Sequence, residues 1–255
     1  MNITSNKQKE GRLKQYTVVC LGASIVRGQV SYNFINILNQ RMADGGFEFI
    51  NKGFPGDQAY NLLMRIDSIA QYMPDFVIIL IGTNDVTAAL NPSLARISRL
   101  TRKFPQPPSV EFYRENMKKI VKDIKEKTSA KIALISLPVL GENLTSIYNQ
   151  GIKEYNTVLK ELADQDRVAY LPVYERQEEH LKKKQKHPGR SYGDDGMLPI
   201  KALARHFLLR QSFDVIARKN HYLLLTDGIH MNSIGAAIIA DEVELYLRFN
   251  TMNNQ

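Results

Sequence analysis

The run Phe76-Val77-Ile78-Ile79-Leu80-Ile81 leaves no polar side chain for either side of a pleated strand. Side chains of a strand alternate between faces, so this one must be covered on both. Continuous apolar strands of this kind belong inside parallel sheets, where crossover helices close both faces. A strand over 75–81 therefore demands helices before and after it, and the flanking sequence supplies them.

Stretches at 17–21 (TVVCL), 47–51 (FEFIN), 131–136 (KIALIS) and 167–173 (RVAYLPV) read as further strands. Between them apolar residues recur near a 3.6-residue period. Helices are predicted over 31–43 (Phe34, Ile37, Leu38, Met42), 59–72 (Leu62, Leu63, Ile66, Ile69), 110–127 (Met117, Ile120, Val121, Ile124) and 146–164 (Ile152, Tyr155, Leu159, Leu162). A closing helix is predicted over 233–248, capped by Asn232 or Ser233. The alternation specifies an α/β fold built on a parallel five-stranded sheet. At 255 residues and 44% hydrophobic content the chain can bury one sizeable core. The expected organisation is a polar tail over 1–15 and one domain over 16–250, with an insert at about 175–222 outside the alternation. That insert has a cationic segment at 180–190, a Gly/Asp turn at 193–196 and a helix near 199–218.

Four short motifs follow predicted strands or lie near the C-terminus: Gly22-Ala23-Ser24, Pro55-Gly56-Asp57, Gly82-Thr83-Asn84-Asp85 and Asp227-Gly228-Ile229-His230. Parallel sheets place their chemistry at the carboxyl ends of strands. Singly, each motif has an ordinary reading: a cap serine, a turn glycine, a helix-capping Asn-Asp, a surface turn with an incidental histidine. Together they supply the parts for serine-based acyl transfer. Ser24 would be the nucleophile, His230 the base that takes its proton, and Asp227 the acceptor that orients the imidazole. The Ser24 and Gly56 backbone N–H groups and the Asn84 amide would bind the oxyanion.

On these four blocks, GASIV at 22–26, NKGFPGD at 51–57, GTNDV at 82–86 and DGIHMNSIG at 227–235, the chain resembles the SGNH hydrolases, the GDSL-type esterase/lipase superfamily. The resemblance implies a flavodoxin-like three-layer α/β/α sandwich. It assigns catalysis to Ser24, Asp227 and His230, and the oxyanion hole to Ser24, Gly56 and Asn84. One position departs from the family pattern: Ala23 stands where an Asp usually precedes the serine. The implied activity is cleavage of a carboxylic ester with a small or medium acyl group through an acyl-enzyme. Acyl transfer to an alcohol, thioester cleavage, or a non-catalytic carbohydrate- or lipid-binding role in the same cleft remain alternatives.

Other chemistries lack their signatures. The chain has no G-x-x-x-x-G-K-[ST] phosphate loop, no G-x-G-x-x-G fingerprint and no G-x-S-x-G elbow. His180, His187, His206 and His221 have no zinc-like arrangement with cysteine, so neither a metal nor a cofactor is expected. The single cysteine, Cys20, lies in an apolar run and reads as packing. The polar N-terminus and the lack of a membrane-length apolar run lead to an expectation of cytoplasmic residence. The partner expected is a small-molecule ester. The net charge of +8 permits peripheral contact with an anionic lipid surface, and nucleic acid has only that bulk charge behind it. The Lys-rich run of the insert reads as a solvated loop, and its helix as a wall that shapes the substrate site.

Overall fold

The structure, a computed structural model, describes residues 15–102 and 104–252. The expected tail, apart from Gln15, lies outside the described residues. Five strands, β1 (Tyr16–Gly22), β2 (Phe47–Gly53), β3 (Phe76–Leu80), β4 (Lys131–Ile135) and β5 (Ala169–Leu171), form one sheet in the order β2-β1-β3-β4-β5. Every pairing is parallel. Every β3 side chain is buried, as its unbroken apolar sequence requires. The two edge strands differ: β2 is only partly covered, and β5 has three residues.

Eleven α-helices are described: α1 (Ser24–Arg27), α2 (Phe34–Arg41), α3 (Ala59–Leu63), α4 (Thr83–Leu90), α5 (Pro92–Arg102), α6 (Val110–Lys127), α7 (Ile147–Asp166), α8 (Val173–Lys184), α9 (Leu198–Phe207), α10 (Phe213–Lys219) and α11 (Ser233–Met252). On one side α11 packs against α2 and α8; on the other α6 packs against α3 and α7, and α4 against α7. The result is the three-layer α/β/α sandwich with the flavodoxin-type strand order. The chain steps from β1 out to β2 at one edge, then crosses back past β1 to β3 and continues outward through β4 to β5. The crevice at the carboxyl ends of β1 and β3 is the switch point where such folds bind ligands.

Cap chemistry explains several boundaries. Asn33 accepts from Ile35 N (2.9 Å), Ser109 from Phe112 N (3.1 Å) and Asn232 from Ile234 N and Gly235 N (both 3.0 Å), which start α2, α6 and α11. Cys20 is buried in β1, and burial pushes its thiol up to about 12.

Five segments differ from the sequence expectation. The helix expected over 59–72 breaks after α3 into a 3₁₀ segment, Ile66–Tyr72. The break falls at Arg65, whose side chain turns back to Asp57 and the Gly22 carbonyl. The strand expected over 167–173 shrinks to β5. Arg167 takes a left-handed conformation (φ 53°) to end α7, and Pro172 caps the next helix. That helix, α8, carries Lys182, Lys183 and Lys184 in its last turn, where a solvated loop was expected. The helix expected over 199–218 is two helices, because Arg210 turns left-handed (φ 51°) and Ser212 caps α10 through Val215 N. Finally, α4 and α5 occupy a stretch, 83–102, to which the periodicity assigned no helix.

Candidate active site

β1 ends at Gly22, where there is no room for a side chain. A Cβ there would sit 2.2 Å from the Leu80 carbonyl oxygen and 2.4 Å from Val26 Cγ2. The glycine lets the chain leave β1 hard against β3 and enter α1 within two residues. Ser24 is the first residue of that helix, so its backbone N–H has no intrahelical acceptor. Ala23 occupies the cap position with no side-chain hydrogen bond. An Asp there could accept from the next N–H groups; its absence forgoes about 1 kcal/mol of cap stabilisation and leaves the Ser24 hydroxyl in place.

The Asp227–His230 turn is held from several directions. Thr226 N donates to His230 O (2.7 Å), and Tyr32 N donates to Met231 O (2.8 Å). Met231 N donates in turn to Ser31 Oγ (3.0 Å). These last two bonds tie the turn to the segment just after α1. His230 Nε2 consequently lies 2.9 Å from Ser24 Oγ, although the two residues are 206 positions apart. His230 Nδ1 lies 2.8 Å from Asp227 Oδ2. The other carboxylate oxygen accepts from Ile229 N (3.0 Å) and His230 N (2.9 Å). Burial alone would push the Asp227 carboxyl up. The facing imidazole and the two backbone donors outweigh burial and hold it below its ordinary value. The side chain of Asp227 is 3% exposed and that of His230 12%, so the pair is shielded while the imidazole still reaches the cleft.

Gly56 and Asn84 belong to loops stitched to the same strand ends. The Gly22 carbonyl accepts from Phe54 N (3.0 Å) and Arg65 Nη2 (3.3 Å), which lays the 54–57 loop beside the Ser24 turn. Gly56 has φ 78°, a conformation that favours glycine. Asn84, in the first turn of α4, donates one amide hydrogen to Asp57 O at 2.8 Å, which fixes the amide and leaves its second hydrogen for a ligand. Asp57 pairs with Arg65 Nε at 3.1 Å, and the guanidinium lies 4.2 Å over the Phe54 ring. Asp85 is buried behind Asn84, receives Ala59 N on its two oxygens (both 3.2 Å), and is pushed up to about 8 because burial outweighs its backbone donors.

All five residues singled out in the sequence thus lie at one edge of the sheet, three of them in a single hydrogen-bonded chain. Two supporting residues were not singled out. Arg65 is one. Glu142, in the loop after β4, is the other: its buried carboxylate accepts from Leu223 N (2.9 Å), Leu224 N (2.7 Å) and Leu225 N (3.1 Å). Its neighbour Gly141 N donates to Gly228 O (2.8 Å), inside the Asp227–His230 turn. The available signal was position: an acidic residue just after a strand end, following the apolar stretch Leu137-Pro138-Val139-Leu140.

Two spaces reach Asp227. A cavity of about 220 Å³ is walled by Tyr148, Tyr192 and Tyr222 with Asn91 and Asp195; a void of about 10 Å³ is walled by Val30, Leu203, Phe207 and Phe213. The larger groove of about 790 Å³ between β5 and α11 touches none of the five residues. Among the described residues no three His, Cys, Asp or Glu side chains gather as a metal site. No described helix is long and apolar enough to cross a membrane.

Residues 20–238 match the sequence profile of the GDSL-like lipase/acylhydrolase family. The chain belongs to this family. As a GDSL-like acylhydrolase it is an ester-hydrolysing enzyme. Its fold is similar to that of the acetyl xylan esterase AlAXEase, with 17% identity, TM-score 0.60, and coverage of 90% of this chain and 98% of that one. It is similar to Axe2, an acetylxylan esterase from Geobacillus stearothermophilus, at 16% identity and TM-score 0.61, covering 91% and 94%. It is also similar to a lipase/acylhydrolase from Enterococcus faecalis, at 19% identity and TM-score 0.60, covering 92% and 97%. At these identities the likeness is one of fold. No curated protein matches the chain in sequence.

Proposed function

We propose that the protein is a serine esterase that cleaves carboxylic esters of small or medium acyl groups through an acyl-enzyme. Ser24 Oγ attacks the ester carbonyl carbon while His230 Nε2 takes the hydroxyl proton. Asp227 holds Nδ1–H and stabilises the imidazolium that forms. The carbonyl oxygen becomes an oxyanion and accepts from Ser24 N–H, Gly56 N–H and the free Asn84 amide hydrogen. Collapse breaks the bond to the alkoxy oxygen, and His230 returns the proton to the departing alcohol. Water, deprotonated by the same imidazole, then attacks the acyl-enzyme and releases the acid and Ser24.

The observation that carries this reading is the continuous chain from Ser24 Oγ to His230 Nε2 (2.9 Å) and from His230 Nδ1 to Asp227 Oδ2 (2.8 Å). Both contacts have the length needed for proton transfer and orientation. Two of the similar folds are esterases of acetylated xylan, which supports a short acyl group. The test is steady-state hydrolysis of p-nitrophenyl acetate by purified wild type and Ser24→Ala. The variant is expected to lose roughly 10⁴-fold or more in kcat/KM, as nucleophile removal does in comparable triads. Wild-type turnover in a clean Ser24→Ala preparation would refute the assignment.

A further inference from the structure

The face that adjoins the catalytic turn is apolar and uncovered. On α9 and the break after it, Ile200 is 58% exposed, Phe207 58%, Leu208 79% and Leu209 64%. Positions 200, 203, 207 and 208 follow helical spacing, so they form one outward stripe, while Leu198 and Ala202 point inward and are buried. The stripe is continuous with the site, since Leu203 and Phe207 also wall the small void that reaches Asp227.

Cations border this stripe. Arg210 directly follows Leu209, and Lys219 Nζ reaches across to Gln211 Oε1 at 3.0 Å, next to Arg210. Arg210, Arg218 and Lys219 are exposed and, among the described residues, none is paired with a carboxylate. Lys201, by contrast, is neutralised by Asp195 at 2.9 Å. Apolar side chains that project from a short helix, edged by uncompensated positive charge, fit the boundary between anionic headgroups and acyl chains. A protein partner of ordinary apolar character would leave those cations without counter-charge.

We propose that the α9–α10 face docks on an anionic lipid surface, with Leu208 and Leu209 inserted among the acyl chains and Arg210 and Lys219 on the headgroups. Docked this way, Leu203 and Phe207, which also wall the small void that reaches Asp227, lie on the lipid side, next to the site that the esterase reading assigns.

The full chain is tested by co-sedimentation with vesicles of phosphatidylcholine, with and without phosphatidylglycerol, in parallel with hydrolysis of soluble p-nitrophenyl acetate. Binding is expected only with phosphatidylglycerol and should weaken as salt is added. Leu208→Asn/Leu209→Asn should weaken binding about tenfold or more, and Arg210→Gln/Lys219→Gln several-fold, with p-nitrophenyl acetate turnover unchanged in both. Absence of binding to the anionic vesicles, or undiminished binding by both variants, overturns the proposal. So does a wild-type dimer in sedimentation equilibrium that the leucine variant dissociates, since the face would then be covered by a second copy. A protein that binds vesicles but does not turn over the soluble ester contradicts the esterase reading and leaves docking intact. Turnover without binding has the reverse meaning.

Discussion

Replacing Asn84 by Ala separates a catalytic contribution from a structural one at a single side chain. The amide has two hydrogens, and one is committed to Asp57 O at 2.8 Å. Truncation therefore removes the donor left for the oxyanion and also frees the Asp57 carbonyl. Losing one preorganised oxyanion donor costs about 10²–10³ in kcat, or about 3–4 kcal/mol of transition-state stabilisation. The structural loss is smaller. Asn84 is only half-buried, so water can replace it on Asp57 O, and the penalty is that of one ordinary hydrogen bond, about 1 kcal/mol. For a chain of this size that lowers Tm by about 2–4 °C. The assay is kcat and KM for p-nitrophenyl acetate together with a thermal melt. The oxyanion forms only after attack, so KM should stay within about threefold of wild type. Asn84→Asp should be slower still, because its carboxylate faces both the Asp57 carbonyl and the developing negative charge. A folded Asn84→Ala enzyme with kcat within about fivefold of wild type would refute the oxyanion role.

Glu142→Ala removes the acceptor for three consecutive N–H groups ahead of Asp227, and should cost about 2–4 kcal/mol in a denaturant titration and lower kcat. Glu142→Gln keeps one oxygen for Leu224 and Leu225 and should retain most of both. Asp85 gives a pH signature. Its carboxyl is pushed up to about 8 in the fold, against an ordinary unfolded value near 3.9, so folding binds a proton between those limits. Stability is full below the unfolded value and falls as pH rises toward the folded one. Wild-type Tm should therefore drop between about pH 4 and 8, and Asp85→Asn should flatten that part of the profile. An identical profile in the variant would contradict the burial argument.

The parts of this fold legible in sequence were those governed by local rules. The Phe76–Leu80 run declared a strand covered on both faces, and Asn232, offered with Ser233 as the cap of the closing helix, marked the start of α11. Ser24, Asp227 and His230 stood out only as a set, since each motif alone has an ordinary reading, and the fold brings the three into one hydrogen-bonded chain. What escaped was set by tertiary contacts. Arg65 breaks a helical period because its guanidinium finds Asp57 and the Gly22 carbonyl, partners that exist only once β1 and the 54–57 loop meet. Glu142 has no local motif; its role depends on three N–H groups more than 80 positions away. The split between α9 and α10 was legible in principle, since Ser212 is a good cap, but the apolar run through Leu208 and Leu209 masked it.

The reading rests on one hydroxyl being the activated nucleophile, and peptide mapping after reaction with a fluorophosphonate tests that most directly. The account predicts one adduct per chain, on Ser24, formed in wild type and suppressed in His230→Ala. An active enzyme with no adduct, or with its adduct on a different residue, would contradict it.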